Sequence, residues 1–394
     1  MIVDVFIVML WFNYYSLPEI NMSNHNFQNF AFELAAWVFK DKPNEDVVVS
    51  PLSAAIALSM LYNGAANKTK KKIMYAMGLS QYNNDSLNSL IQKWIESLKK
   101  NNISIANGIW ANGSNILRPE FMDLMLKYYD AESNSLNFSN SRSLESINKW
   151  ISDKTDGNIK EAVASLNERD KIVLANAINF SQEWELEFDP DNTEKNVFYL
   201  SDGNTKSCVF IENTDKYHAL EGGNFNAVAI PYKRNFTMYL LVSNGMFSNL
   251  KNLRTNIELS CFNDIVARLT KQKVIIRMPK LVTKSNIDLK KPLGHTSLDL
   301  NKCVGIKDAF DNNADFSEMS IAGKELFVSV LSQTNNIVVN ESGTKATSST
   351  VAVMTSKGIS MPLNINANRP FMFIVWDHNI DMPLLIGQIT GSSF

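Results

Sequence analysis

The side chains best suited to nucleophilic, acid–base or metal chemistry are few: His25, His218, His295 and His378, with Cys208, Cys261 and Cys303. None recurs with Asp, Glu or a second Cys at ligand or triad spacing. There is no GxSxG, HExxH, Walker loop or GxGxxG, so hydrolase, zinc-peptidase and nucleotide chemistry lack support. Each histidine reads as a surface residue or a hydrogen-bonded structural one. Three widely spaced cysteines without CxxC argue against a disulfide framework and a zinc site, and lean toward a reducing compartment. No metal or cofactor is expected, and the chain is read as a non-enzyme.

One stretch carries conflicting signals. Glu341 to Thr350 is small and polar with no apolar period, which reads as a surface loop, yet it runs into Val351-Ala352-Val353-Met354, which favours a strand. In an extended chain Thr344, Ala346, Ser348 and Thr350 share one face, all small, while Lys345, Thr347 and Ser349 share the other, where a charge stays in water. Such a segment suits exposure in one state and insertion between two strands in another. A flexible Ser/Thr linker is the plainer reading.

The elements that must carry this stretch are legible from period and punctuation. Phe27, Phe30, Leu34 and Val38 make an apolar stripe over a helix from Phe27 to Lys40. Val47-Val48-Val49 reads as a short buried strand. Ser50 is a helix cap with Pro51 at the first turn, and the helix from Leu52 to Tyr62 is expected to stop at Gly64 in a left-handed cap. Leu87, Leu90, Ile91, Trp94, Ile95 and Leu98 mark another amphipathic helix, before a strand at Ile103–Trp110, and Pro119 opens a helix through Tyr128. Ile172 to Phe180 reads as a central strand, in which the polar Asn176 must find a hydrogen-bond partner. The remainder is strand-rich. A net charge of −2, with 45% hydrophobic and 20% charged residues, gives no overall pull toward nucleic acid or an anionic membrane. The run Lys68, Lys70, Lys71, Lys72 is read first as a solvated helix face, with a polyanion such as heparin as the alternative partner.

Several strings together resemble the serpins. These are Val-Val-Ser50-Pro51-Leu-Ser53 with Ala57-Leu58, Leu61 and Gly64-Ala65; Ile147 to Ile159 with Trp150, Thr155 and Gly157; Ala175-Asn176-Ala177-Ile178 with Phe180, Trp184 and Phe188; Met278-Pro279-Lys280-Leu281; Gly305 to Met319; Glu341-x-Gly343-Thr344-Lys345-Ala346; and Asn368-Arg369-Pro370-Phe371. The resemblance spans roughly residues 25–394. It implies an α+β fold with a large central, mostly antiparallel sheet A, two further sheets, about nine helices and an exposed reactive-centre loop at about 341–366. It leaves residues 22–394 as one domain. Asp46 stands where the family usually has Asn, and Gln333 where a His usually sits.

The family's function is inhibition of serine proteases by suicide substrate. The loop is cleaved, its freed end inserts into sheet A, and the acylated protease is carried along and distorted. By resemblance the hinge is Glu341, Gly343, Thr344, Lys345, Ala346, Thr347, Ser348, Ser349 and Thr350, and the network where the sheet parts is Ser50, Ser53, Asn176, Gln333 and Trp184. The scissile residue falls sixteen after the hinge glutamate, at Lys357, with Gly358 leaving. That implies a trypsin-like or cathepsin G-like target. Alternatively Lys357 is a solvated charge and cleavage falls at Met354 or Met361. A non-inhibitory carrier or chaperone whose loop is a plain substrate is the other reading, left open by Gln333.

Val5 to Phe12 resembles a signal-peptide core too short to span a bilayer, but Asp4 sits where a basic residue belongs and no clean cleavage site follows. Residues 1–21 are thus either a signal, giving a secreted protein, or a dispensable extension. In the second case Met22 is the working start, as in the intracellular ovalbumin-like branch. A monomer without nucleic-acid or membrane partners is expected.

Overall fold

The structure, a computed structural model, describes residues 22–114, 116–244, 250–254, 258–294, 305–343 and 361–394. The N-terminal stretch 1–21 and the loop residues Thr344, Lys345, Ala346, Thr347, Ser348, Ser349, Thr350, Lys357 and Gly358 lie outside the described residues, as do His295 and Cys303.

Two sheets organise the described chain. In the first the order is β10 (Leu281–Asp288), β11 (Val328–Val339), β4 (Ile172–Phe180), β2 (Ser104–Asn112) and β3 (Glu132–Leu136). Its pairings alternate: β10 with β11 antiparallel, β11 with β4 parallel, β4 with β2 antiparallel, β2 with β3 parallel. The sheet is therefore mixed. The two further sheets expected from the sequence run together as one nine-stranded sheet. Its order is β1 (Val47–Val49), β14 (Met382–Ile389), β13 (Phe371–Asp377), β8 (Phe236–Ser243), β7 (Phe225–Tyr232), β6 (Thr205–Glu221), β9 (Thr270–Pro279) and β12 (Leu363–Asn366), with β5 (Glu194–Tyr199) also on β6. β6 is 17 residues long, enough to pair with β5 at one end and β7 at the other, which joins the two halves.

Nine α-helices occur among the described residues. The first, α1 (Met22–Asp41), buries Phe27, Phe30, Leu34 and Val38, the expected stripe. All fourteen residues of α2 (Pro51–Gly64) are buried; the helix is predominantly apolar, with Ser53, Ser59 and Asn63 its buried polar exceptions. Its start is as expected: the Ser50 side chain accepts from Ser53 N, with Pro51 in the first turn. Its end is not. Gly64 is absent from the left-handed residues; a Cβ there would lie 2.8 Å from Met319 Cβ, so this glycine admits a neighbour distant in sequence. Further helices are α3 (Asn67–Ala76), α4 (Asn84–Lys100), α5 (Pro119–Tyr129) and α6 (Ser141–Lys154), with three more between residues 251 and 294. The last of these named, α6, lays Ile147 and Ile151 on Ala106, Val173, Ala175 and Ala177 of the five-stranded sheet, small residues that let it sit close.

Asp46 locks the two ends of the described chain together. Its carboxylate accepts from the backbone N–H of Thr390 (2.6 Å), Gly391 (3.0 Å), Ser392 (3.3 Å) and Ser393 (2.8 Å), and from the hydroxyls of Thr390 and Ser393. Burial alone would raise its pKa, but the bonds from Ser393 and Thr390 outweigh that and hold it below the ordinary carboxylate value. A carboxylate whose folded pKa is depressed stabilises fully above its unfolded pKa, and that contribution is lost as pH falls through the folded value. Asp46→Ala is expected to lower unfolding free energy by about 2–3 kcal/mol at pH 7, because several donors lose their acceptor. The gap between wild type and variant should close below about pH 4; urea melts across pH 3–7 would measure it.

Candidate functional site

The site is the seam between β4 and β11, together with the turn that follows β11. Both strands run the same way, and their register aligns Gln333 with Asn176, and Asn176 with Asn107 on β2. All three amides are at most 2% exposed and lie in one row across three strands. Gln333 engages both backbone groups of Ser50: its Oε1 accepts from Ser50 N at 2.9 Å, and its Nε2 donates to Ser50 O at 2.8 Å. Oε1 also accepts from Asn335 Nδ2 (3.0 Å), which donates in addition to Val48 O (2.7 Å). Ser50 Oγ donates to Leu384 O on β14 at 2.8 Å. The seam is thus pinned from beneath to the start of α2 and, through it, to the second sheet.

Asn176 donates to Asn107 Oδ1 at 2.6 Å, and Asn107 Nδ2 to Tyr129 O at 3.2 Å. Neither Asn176 Oδ1 nor Ser53 Oγ has a hydrogen-bond partner among the described residues. At the far end of the seam the Asn336 amide donates to Asn179 Oδ1 at 2.8 Å. These two asparagines form part of a cleft of about 1150 Å³, which also takes in Asn102, Ser104, Asp156 and Lys233. Water therefore reaches this end of the seam, whereas the Gln333 row is dry.

Beyond β11 the chain turns at once. Gly343 N donates to Asn340 O (3.2 Å), Asn340 N to Gly343 O (2.8 Å), and Ser342 N to Asn340 Oδ1 (3.1 Å). Gly343 also bridges Glu183, just past the end of β4, in antiparallel sense. The turn thus sits at the ends of the two parallel strands, Gly343 bonded to Asn340 on one side and Ser342 O accepting from Trp184 N–H on the other. Only glycine fits: φ is +128°, and a Cβ would stand 2.6 Å from Glu183 Cα and 2.7 Å from Trp184 N. Trp184 is fully buried, stacks on Tyr232 at 4.0 Å, donates its Nε1–H to Asn340 O (2.9 Å) and its backbone N–H to Ser342 O (3.1 Å).

Glu341 is fastened separately. Its Oε1 accepts from Lys280 Nζ and from the Thr193 hydroxyl, each at 2.6 Å. Burial pushes its pKa up, but the bonds from Lys280 and Thr193 overcome this and hold it below the ordinary value, so the carboxylate is charged at neutral pH. What this arrangement offers is mechanical: a closed parallel seam with Gly343 bridged to Glu183 at its end.

A family profile described as serpin (serine protease inhibitor) matches residues 25–391. The chain belongs to the serpin family. Serpin-Z1C of Triticum aestivum is 28% identical over 95% of this chain and 97% of its own length, and Serpin-Z4 of Hordeum vulgare is 29% identical over 88% and 90%. Among solved structures, native tengpin, a thermophilic serpin, superposes with a TM-score of 0.81 at 27% identity, covering 93% of each chain. Serpin48 of the insect Tenebrio molitor gives 0.83 at 24%, covering 95% and 99%, which bears on the fold alone.

Of the residues the sequence singled out in this serpin, Ser50 and Gln333 meet directly, and Trp184, Glu341 and Gly343 meet around the turn. Asn176 joins neither group, its amide going to Asn107; Ser53 meets Ser50 through its backbone N–H, while its hydroxyl goes unanswered among the described residues. Sequence reasoning missed Asn107, Asn335, Lys280 and Thr193. For Asn107 the signal was present, a second Asn inside an apolar strand; for Lys280 and Thr193, which meet Glu341 only in the fold, there was none. The basic run is largely engaged within the chain. Lys68 (3.3 Å) and Lys72 (2.7 Å) both meet Asp308, and Lys70 lies 4.7 Å over the Tyr62 ring. Among the described residues no group of three or more His, Cys, Asp or Glu is placed to hold a metal, and no helix is long and apolar enough to cross a membrane.

Gln333→Leu is expected to cost about 2–4 kcal/mol, because it orphans both backbone groups of Ser50 in a dry site, and its effect should be flat with pH. Gln333→His should differ in kind. A buried neutral imidazole has a depressed folded pKa, so stability should fall as pH drops below about 6.5, the unfolded value. Thermal melts at pH 5.5 and 8 would separate the two. Gly343→Ala should lower Tm through backbone displacement at Gln182–Trp184, and tryptophan fluorescence would report the shift at Trp184.

Proposed function

We propose that this serpin inhibits a trypsin-like or cathepsin G-like serine protease as a suicide substrate, cleaved after Lys357. The observation that carries the reading is the bridging of Gly343 at the open end of a parallel seam. A chain that turns back after β11 runs antiparallel to β11, and therefore to β4 as well. The sheet can accept it between them without reversing either neighbour, trading one parallel pairing for two antiparallel ones, the slightly stronger kind.

The chemical step is the protease's own. Its nucleophile attacks the Lys357 carbonyl, the bond to Gly358 breaks, the Gly358 nitrogen leaves as an amine after taking a proton, and Lys357 is held as an acyl ester. The lysine ammonium fits a pocket with an acid at its floor. About 15 loop residues at roughly 3.3 Å each would move the tethered protease about 50 Å as they enter the seam. Thr344, Ala346, Ser348 and Thr350 supply the small inward face that entry requires.

Mixing the protein with trypsin and, separately, with cathepsin G tests this. A band at the summed mass that survives boiling in detergent, with a released peptide beginning at Gly358, is expected. Cleavage without the band would overturn inhibition and favour a plain-substrate serpin. Thr344→Arg puts a charge on the inward face, where burial costs several kcal/mol. It should leave cleavage intact and reduce the covalent band at least tenfold on densitometry.

A further inference from the structure

The ribbon formed by β6 and β9 carries a ladder of charges on its solvent face. Register sets Glu212 opposite Arg277, Thr214 opposite Ile275, Lys216 opposite Lys273, and His218 opposite Lys271. Because side chains alternate, these residues share one face. Thr214, Lys216, His218, Lys271 and Lys273 are exposed, while Tyr217, Ala219, Val274 and Ile276 on the other face are buried. At one end of the ladder the charges are matched: Arg277 pairs with Glu212 at 2.5 Å and Glu194 at 3.5 Å. Two rungs on they are mismatched, with ammonium directly opposite ammonium, an arrangement that destabilises a ribbon. None of Lys216, Lys271 and Lys273 has a carboxylate partner among the described residues. Asp215 alternates with these residues along β6, is exposed, and its Oδ1 accepts from the Lys216 backbone N–H at 2.6 Å without pairing with a lysine ammonium; the neighbouring strands add no acid at these rungs: β12 is Leu-Asn-Ile-Asn, and β7 presents Ala229 beside His218.

The position of the mismatch is what gives it meaning. β12 pairs with β9 from Leu363 opposite Val274, the residue next to Lys273. Two residues before Leu363, Met361 is 98% exposed, where the chain comes in from the loop. The unpaired cations thus lie beside the start of β12 and the exposed Met361 that leads into it.

We propose that Lys216, Lys271 and Lys273, with His218, form a secondary docking surface for the target protease, selecting enzymes that are acidic beyond the pocket accepting the residue after the cut. The inference rests on the proposed protease target. It predicts that electrostatic attraction at this face speeds encounter and adds a choice among proteases sharing one primary specificity. Charged side chains also guard open strand edges, and β9 is unpaired by β12 over residues 270–273. Edge protection, however, works with charge of either sign, whereas docking works with one.

The test uses anionic and cationic trypsin, which share a preference for Lys, each made inactive by replacing the catalytic serine with alanine, so that binding is read without cleavage. Wild-type protein should associate with the anionic enzyme about tenfold faster than with the cationic one at low salt, the gap narrowing as ionic strength rises. The triple variant Lys216→Glu, Lys271→Glu, Lys273→Glu should reverse that preference. Lys216→Glu alone creates an opposed Glu–Lys pair, so it should raise Tm slightly while slowing association with anionic trypsin, which a purely structural role would not do. Equal association of wild type and triple variant with anionic trypsin overturns the inference. So does retention of a sulfated polysaccharide through the three lysines with no trypsin preference, which would assign the patch to a polyanion. Active trypsins in parallel report the covalent band. Its absence counts against suicide inhibition, and the binding arm still decides the docking surface.

Discussion

Everything in this structure turns on a parallel pairing held shut from one side. β4 and β11 pair in parallel, and the turn at Asn340–Gly343 bridges Glu183 just past the end of β4; parallel pairs are the weaker kind. Their closure is not left to the ladder alone. Gln333 grips both backbone groups of Ser50, and Ser50 grips Leu384, so opening the seam strains the start of a wholly buried helix and a strand of the other sheet. An amide does this without titrating: it offers a donor and an acceptor at every physiological pH. A histidine in its place would bring a proton-dependent latch, whereas the Gln333 contacts carry no proton dependence of their own.

The two ends of the seam differ physically. Around Gln333 the polar groups are buried, and its side chain is bonded to both backbone groups of Ser50 and to Asn335, so breaking these bonds exposes unpaired donors and acceptors to an apolar surround, which is costly. Around Asn336 and Asn179 a wide polar cleft admits water, which replaces lost hydrogen bonds at little cost. Separation is therefore easiest where Gly343 is already seated. The fastening of Glu341 by Lys280 and Thr193 opposes it from outside, with a charge pair that is partly buried and so screened less by salt than a surface one.

Much of this was legible in the sequence where the signal is local. The stripe of α1, the Ser50-Pro51 start of α2 and the extent of β4 all follow from neighbours within a few residues. Gly64 was misread for the opposite reason: its cause is Met319, brought alongside by folding, and a glycine before a chain reversal looks the same whether it turns or yields space. Asn176 announced that it needed a partner, and the family resemblance implied Ser50 and Ser53; its amide bonds Asn107 instead, because cross-strand register decides the partner, and register depends on how three distant segments align. The joining of the expected second and third sheets through β6 was likewise invisible. A 17-residue strand that pairs with different neighbours along its length reads, by period alone, as two.

The bonds of Asp46 to residues 390–393 span about 344 positions along the chain. At a synthesis rate of roughly 5–20 residues per second, Asp46, β1 and the cap of α2 would wait on the order of 20–70 s for the partners that complete them. During that interval α2 has no β14 to cover it, and its apolar surface must be shielded by something other than its final neighbours. Closure of the seam through Ser50 and Leu384 therefore cannot precede the emergence of β14 from the ribosome.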